Sequence, residues 1–402
     1  MIKPTSTVTN KPDRSPRPWA IALAGALVLT GGAVAAVAAM TEPSAPPNAP
    51  FRIEEIADLD QPWAMTFLPD GRMLITEKAG QLLMLSADGK QRKTVTGAPA
   101  VMSQGQGGLM DVVLHPRFAK NRMVYLSYSE AAGKDTSVVL ARGVFNDGDA
   151  PSLRNVQTLF RGPKYDAKAG HYSGRIAFSP EGKLFFTVGD RQQWDGYQRT
   201  EPQDIKILSG KVLRLNDDGT PAAGNPLAAR GGDPAIWTYG HRNLLGLAFD
   251  ANGNLWEQEM GPLGGDEVNL ILPGRNYGWP IVSNGDNYPR PPTNGAAIPD
   301  HRPGDGFEAP KVWWNPAISP GGMMVYSGKL WPQWRGDLFI GGLSSRSLVR
   351  VDVNGPEATK GDQFALGSRI REPEEGPDGS IYLLTDGLRG SDGKLVKLTP
   401  KR

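Results

Sequence analysis

The chain has 402 residues, with 44 Lys and Arg against 42 Asp and Glu, 50 Gly, 35 Pro and no Cys. The missing cysteine excludes disulfides, thiolate metal centres and cysteine nucleophiles. Lys3, Lys11, Arg14 and Arg17 stand against Asp13 alone in the first forty residues, so the rest is close to neutral with no basic run, which argues against a nucleic-acid partner.

Trp19 to Met40 reads WAIALAGALVLTGGAVAAVAAM, uncharged and preceded by a basic stretch. It predicts either a signal peptide cut near residue 40 or a retained signal anchor. Both place the body outside the cytoplasm, periplasmic or secreted, and the second tethers it to a membrane through residues 19–40. Residues 41–50 hold four prolines and read as a linker. The remainder, 51–402, reads as one domain.

In that body one element recurs, a tight turn leading into a short apolar strand. Asp70-Gly71 precedes Met73-Leu74-Ile75, and Asn121-Arg122 precedes Val124-Tyr125-Leu126. Glu181-Gly182 precedes Leu184-Phe185-Phe186, and Asn252-Gly253 precedes Leu255-Trp256. Gly336-Asp337 precedes Leu338-Phe339-Ile340, and Asp378-Gly379 precedes Ile381-Tyr382-Leu383. No long amphipathic helix interrupts them. Six strand-rich units of this kind predict an all-β, six-bladed propeller, each blade a four-stranded antiparallel sheet, in preference to a sandwich or two small β domains. The stretch from Asn284 to Pro310 reads as a long loop.

Four histidines, His115, His171, His241 and His301, are too few for a multi-histidine zinc centre. His115, beside a strand, reads as structural, and His301, in the variable loop, as solvated. His171 lies among glycines just before Ile176-Ala177-Phe178, and the next strand ends in Val188-Gly189-Asp190. That places Asp190 at the same rim, able to orient an imidazole that takes a proton from a hydroxyl. Taken alone, a histidine in such company is more often structural. Arg242 and Asn243 follow His241 and offer planar donors for a carboxylate or a quinone-like oxygen. Glu259 to Glu267 mixes glycine carbonyls with Asp266 and Glu267, which suits calcium or a plain acidic turn equally well.

Taken in order, Gly105-Gln106-Gly107-Gly108, His171 with Gly174-Arg175, Val188-Gly189-Asp190, Gly210 to Leu215, Gly240-His241-Arg242-Asn243, Glu259 to Glu267, Asn276-Tyr277-Gly278-Trp279-Pro280 and Arg369-Ile370-Arg371 resemble the glucose/sorbosone dehydrogenase family, which uses pyrroloquinoline quinone (PQQ). The resemblance runs from about residue 55 to the C-terminus and is nearer to the broad-specificity aldose dehydrogenases. It implies oxidation of an aldose at its anomeric C1 hydroxyl, with electrons passed on to an external quinone or cytochrome. His171 would be the general base and Asp190 its orienting carboxylate. Arg242, Asn243, Gln106, Arg369 and Arg371 would contact PQQ. The carbonyls of Gly261 and Pro262 would hold a Ca2+ ion that also binds PQQ, and Glu267 with Tyr277 would hold a second. The family's cofactor-contacting lysine falls at Ser344 here, with Arg346 nearby as a substitute. Ser173 replaces a glycine, Leu244-Leu245 replaces Pro-Gln, and Met260 replaces a more polar residue. Two other readings follow from these departures and from the fold: a propeller of the same ancestry without cofactor, or a calcium-dependent lactonase-type hydrolase.

Overall fold

The six repeated turns are one joint used six times. In a computed structural model describing residues 43–168, 170–192, 201–286, 298–387 and 393–401, each turn joins the first strand of a blade to its second. Gly71, Gly182, Gly253, Gly336 and Gly379 sit there at φ between 79 and 89°. This left-handed backbone favours glycine because it has no Cβ. The sixth turn uses Arg122 at φ 55° instead.

The blades span residues 62–94, 109–166, 173–239, 244–314, 320–365 and 369–400. Each is an antiparallel sheet with four strand positions. In blade 2 the outermost position is split, since Ser152–Arg161 and Tyr165–Asp166 both pair with Asp135–Asn146. Blade 6 takes its outermost strand from the start of the domain: Phe51–Leu59 pairs with Gly393–Pro400. Chain ends that share a blade close the ring. The first strands touch one another in turn, and that of blade 6 returns to that of blade 1.

Apolar layers fill every seam. One cluster spans blades 1 to 3, with Trp63, Leu126 and Phe186 among its members. Four more occupy the remaining seams, around Leu255, Trp256, Phe339 and Leu384. Middle strands are therefore covered on both faces; Met73–Glu77 and Leu184–Val188 are buried throughout. The apolar runs seen in the sequence are these second strands, with both faces removed from water.

The proline-bearing stretch lies along the body from residue 43. Ser44 donates its N–H to the Leu366 carbonyl at 2.9 Å, and Ala49 is buried. One expectation changes. His301 is not solvated: its side chain is 4% exposed and its ring packs against Gly278. The loop carrying it folds back through Ser283 N–H to Pro299 O and His301 N–H to Asn284 Oδ1. Residues 1–42, including the signal segment, and 287–297 of the long loop lie outside the described residues. Among the described residues no helix is long and apolar enough to cross a membrane.

Candidate active site

At one end of the ring, the residues just after the second strands converge on the axis. Ser173, first in blade 3, pairs with Val188, last in the second strand, so His171 and Asp190 flank the same rung. Any side chain at Gly189 would drive its Cβ to 2.0 Å from the His171 carbonyl, so glycine is required for this approach. His171 adopts φ 48° and Ser173 φ 58°. Such backbone costs energy for a residue with a Cβ and persists only where the surroundings hold it. Here Gln106 Oε1 accepts the His171 N–H at 2.8 Å, and Ser173 Oγ accepts the Leu244 N–H at 2.9 Å.

The imidazole and the carboxylate form a buried pair. His171 Nδ1 lies 2.7 Å from Asp190 Oδ1, with both side chains 5% exposed or less. Asp190 Oδ1 also accepts the Gln192 N–H at 2.9 Å, and Oδ2 accepts Trp279 Nε1–H at 2.8 Å. Burial pushes the Asp190 carboxyl up, but the His171 and Arg242 charges and these donors outweigh it and hold it down at about 2. An ionised Asp190 makes Nδ1 the protonated nitrogen of a neutral imidazole, leaving the Nε2 lone pair to take a proton. Burial, then the Arg242 charge, keeps the imidazole below its ordinary value, against the pull of Asp190.

Arg242 comes from the adjoining edge of blade 4. Its N–H is fixed by Glu259 Oε2 at 2.5 Å, and Glu259 Oε1 is 3.0 Å from His241 Nδ1. Its guanidinium carbon lies 5.2 Å from the Trp279 ring centre. Nη1 donates to the Met260 and Gly261 carbonyls at 2.9 and 2.6 Å. Nε is buried with no partner among the described residues. Trp279 thus touches both the base pair and the arginine, a junction that its distance in sequence from His171 concealed. Asn243, also buried, accepts Ser173 Oγ–H at 3.4 Å through Oδ1.

The acidic turn behaves differently from a solvated one. Glu257, Glu259 and Glu267 are all buried, and Asn269 Nδ2 lies 3.1, 3.4 and 3.5 Å from one oxygen of each. Burial, then Glu259, pushes the Glu257 and Glu267 carboxyls well up. A cavity of about 10 Å³, room for one small particle, is lined by Arg242, Gly261, Glu267 and Tyr277 among others. The Tyr277 hydroxyl donates to Leu270 O at 2.6 Å and accepts Leu272 N–H at 2.9 Å, so the phenol is engaged elsewhere. Pro262, next to Gly261 in the chain, is buried and is not among the residues lining the cavity.

Further round the rim, Arg371 and Arg369 reach the same oxygen of Asp386 at 2.6 and 3.3 Å. Gln106 is exposed at this end. Ser344 is exposed, with Oγ donating to Ala317 O at 3.2 Å. Arg346 is half-buried at φ 50°. His115 is structural: Nδ1 accepts the Arg117 N–H and its ring stacks on Tyr125. Below the site, Arg175 lines an axial cavity of about 300 Å³ with Asp111, Glu372 and Glu374. It binds Glu372 through two nitrogens at 2.9 and 2.6 Å and lies 3.5 Å from Asp111, all buried.

A ring of six blades with a buried, carboxylate-oriented histidine and converging cations at one mouth defines a propeller with a proton-accepting site. The chain belongs to the glucose/sorbosone dehydrogenase family, whose model matches residues 59–397. It is 38% identical to the aldose sugar dehydrogenase YliI of Escherichia coli K12, over 88% of this chain and 94% of that protein. The apo-form structure of the soluble aldose sugar dehydrogenase of Escherichia coli superposes with a TM-score of 0.79 at 38% identity, covering 87% of this chain and all of that one. The PQQ-bound aldose sugar dehydrogenase of Streptomyces coelicolor gives a TM-score of 0.67 at 28% identity, covering 89% and 99%.

Proposed function

We propose that the protein oxidises the anomeric C1 hydroxyl of an aldose to the lactone, using PQQ and Ca2+. The observation that carries this reading is the buried His171–Asp190 pair, fixed by Trp279 and set beside Arg242. The residues fit such a cofactor. Arg242 Nε is a buried donor waiting for an acceptor, and the Arg369–Arg371 pair meets only one carboxylate, Asp386, among the described residues. PQQ-bound and quinoprotein relatives support the same choice.

His171 Nε2 takes the hydroxyl proton, and Asp190 stabilises the imidazolium that results. Bound PQQ, with Ca2+ as Lewis acid, supplies the acceptor for the hydride leaving C1. Arg242 and Asn243 orient donors toward the quinone oxygens, and Gln106 lines the mouth. Arg369 and Arg371 hold the cofactor's carboxylates. The carbonyls of Gly261 and Pro262 would hold the ion. Gly261 O accepts Arg242 Nη1–H at 2.6 Å, so the carbonyl that would hold the ion lies beside the guanidinium that would face the quinone. Glu267 is the buried carboxylate nearest in kind for a second ion. Of Tyr277 only the main chain is left to serve there. A lactonase-type metal would need carboxylates at the axis. Of the carboxylates lining the axial cavity, Asp111 and Glu372 are bound to Arg175, and burial pushes Glu374 toward its neutral form. Exported by its N-terminal segment, the enzyme would act outside the cytoplasm and pass electrons to an external quinone or cytochrome.

The test is direct. Purified protein reconstituted with PQQ and Ca2+ should oxidise aldoses with an artificial acceptor. His171→Ala should keep PQQ binding and lose about 10²–10⁴-fold in kcat. No turnover and no cofactor spectrum in the wild type would refute the reading.

A further inference from the structure

Two arginines at the mouth share one carboxylate, Asp386, and a lysine stands near them. Lys78 follows directly on the second strand of blade 1, Met73–Glu77. Asp190, Gly261 and Ser344 lie within two residues of the same strand end in blades 3, 4 and 5. Lys78 therefore stands at the rim from which the site is built. Its Nζ donates to Gly105 O at 2.5 Å, one residue from the Gln106 that holds His171. On its other side Arg371 is close enough to depress the ammonium, after burial itself, while Asp386 opposes the shift. Arg369 continues the series and lies 3.4 Å from the carbonyl of Leu343, next to Ser344. The rim therefore runs Ser344, Arg369, Asp386, Arg371, Lys78, Gln106, His171. Glu77, the neighbour of Lys78 in the chain, is engaged elsewhere, its carboxylate accepting the Asp60 N–H at 2.7 Å.

We propose that Lys78 is an anion-binding residue of the cofactor site, contacting a carboxylate of PQQ from the side opposite Ser344 and replacing the lysine absent there. The inference rests on the PQQ reading above. An ammonium has three N–H donors, and Gly105 takes one; among the described residues no acceptor meets the others. Two arginines and a lysine against Asp386 leave a surplus of two positive charges, which suits a compact polycarboxylate. The same lysine props the Gly105–Gln106 turn, so bound anion and catalytic histidine become linked through one side chain.

The experiment measures PQQ binding by quenching of tryptophan fluorescence in Ca2+ buffer, over a series of salt concentrations. Lys78→Gln should raise Kd by about 10–100-fold, the effect of one charge-assisted hydrogen bond. Its Kd should also vary less steeply with salt. Lys78→Arg should stay within about fivefold of wild type. Adding Ser344→Lys to Lys78→Gln should recover at least tenfold, which a merely distorted Gly105 turn would not allow. Lys311→Gln, which loses a cation paired with Glu357 in the outer part of the fold, is the charge control and should bind as wild type. A Lys78→Gln Kd within threefold of wild type, or a loss independent of salt and not recovered by Ser344→Lys, overturns the proposal. Benzene-1,3,5-tricarboxylate separates the two readings. If wild type binds it in a Lys78-dependent way but not PQQ, the proposed function fails and the anion site stands. If neither binds, both fail.

Discussion

Trp279→Phe isolates one hydrogen bond. Phenylalanine keeps an aromatic ring beneath Arg242 but removes the Nε1–H that lies 2.8 Å from Asp190 Oδ2. A hydrogen bond to an ionised group contributes about 1.5–3 kcal/mol, which corresponds to about 10–150-fold. Asp190 keeps the donors from His171 Nδ1 and Gln192 N–H and starts from about 2, so it stays ionised at pH 7 and the imidazole keeps its tautomer. The cost therefore falls on orientation: the carboxylate gains freedom to swing, and Nε2 loses its aim at the substrate hydroxyl. Steady-state kinetics with reconstituted enzyme should show kcat down by about 10–100-fold, with the sugar KM and the PQQ Kd nearly unchanged. The acid limb of the pH profile should shift little. Unchanged kcat would refute the positioning role. A raised PQQ Kd with normal kcat would instead make Trp279 a wall of the cofactor pocket.

Because His171 is held below its ordinary value of 6.5, it stays neutral as pH falls through that point. The kcat/KM profile should stay level down through pH 6.5 and bend only at more acid pH; a bend above 6.5 would contradict the burial argument. Asp190→Asn removes the charge that raises the imidazole, so it should move that limb further acid while lowering kcat by about 10²–10⁴-fold, read from the same profiles. Arg175→Met leaves Glu372 and Asp111 buried without their cation. Urea denaturation should show a loss of about 3–5 kcal/mol, and a loss under about 1 kcal/mol would mean the axial pair is dispensable. Ser173→Ala strips the acceptor from the buried Leu244 N–H and should cost about 1–3 kcal/mol in the same assay; no measurable loss would mean that this N–H does not depend on Ser173.

What the sequence shows and hides follows from which faces each residue presents. Second strands are sandwiched between neighbouring blades, so both their faces are apolar and they stand out as runs such as Leu184 to Val188. Outermost strands are invisible by the same logic: Arg92–Thr94 is wholly exposed and carries no apolar residue. The second strand of blade 4 breaks the pattern with Glu257, Gln258 and Glu259 inside the fold, and polar residues where burial demands apolar ones were a signal of the site. His171 and Asp190 were legible together because one hairpin brings them to one rung. Trp279 and Lys78 were not, since Trp279 reaches Asp190 across 89 residues of chain and Lys78 comes near Arg371 and Asp386 only where blade 6 closes onto blade 1. A propeller assembles its mouth from one short segment of every blade. Local spacing can therefore reveal a base and its carboxylate, while the residues that aim them and the charges that hold a ligand come from blades far apart in sequence. The departures at Ser173 and Ser344 illustrate the second case. At Ser173 the hydroxyl that replaces glycine is used by the adjoining blade, through Leu244 and Asn243 about seventy residues on. At Ser344 the proposed replacement charge, Lys78, belongs to blade 1, far from it in sequence and on the same rim only in the folded ring.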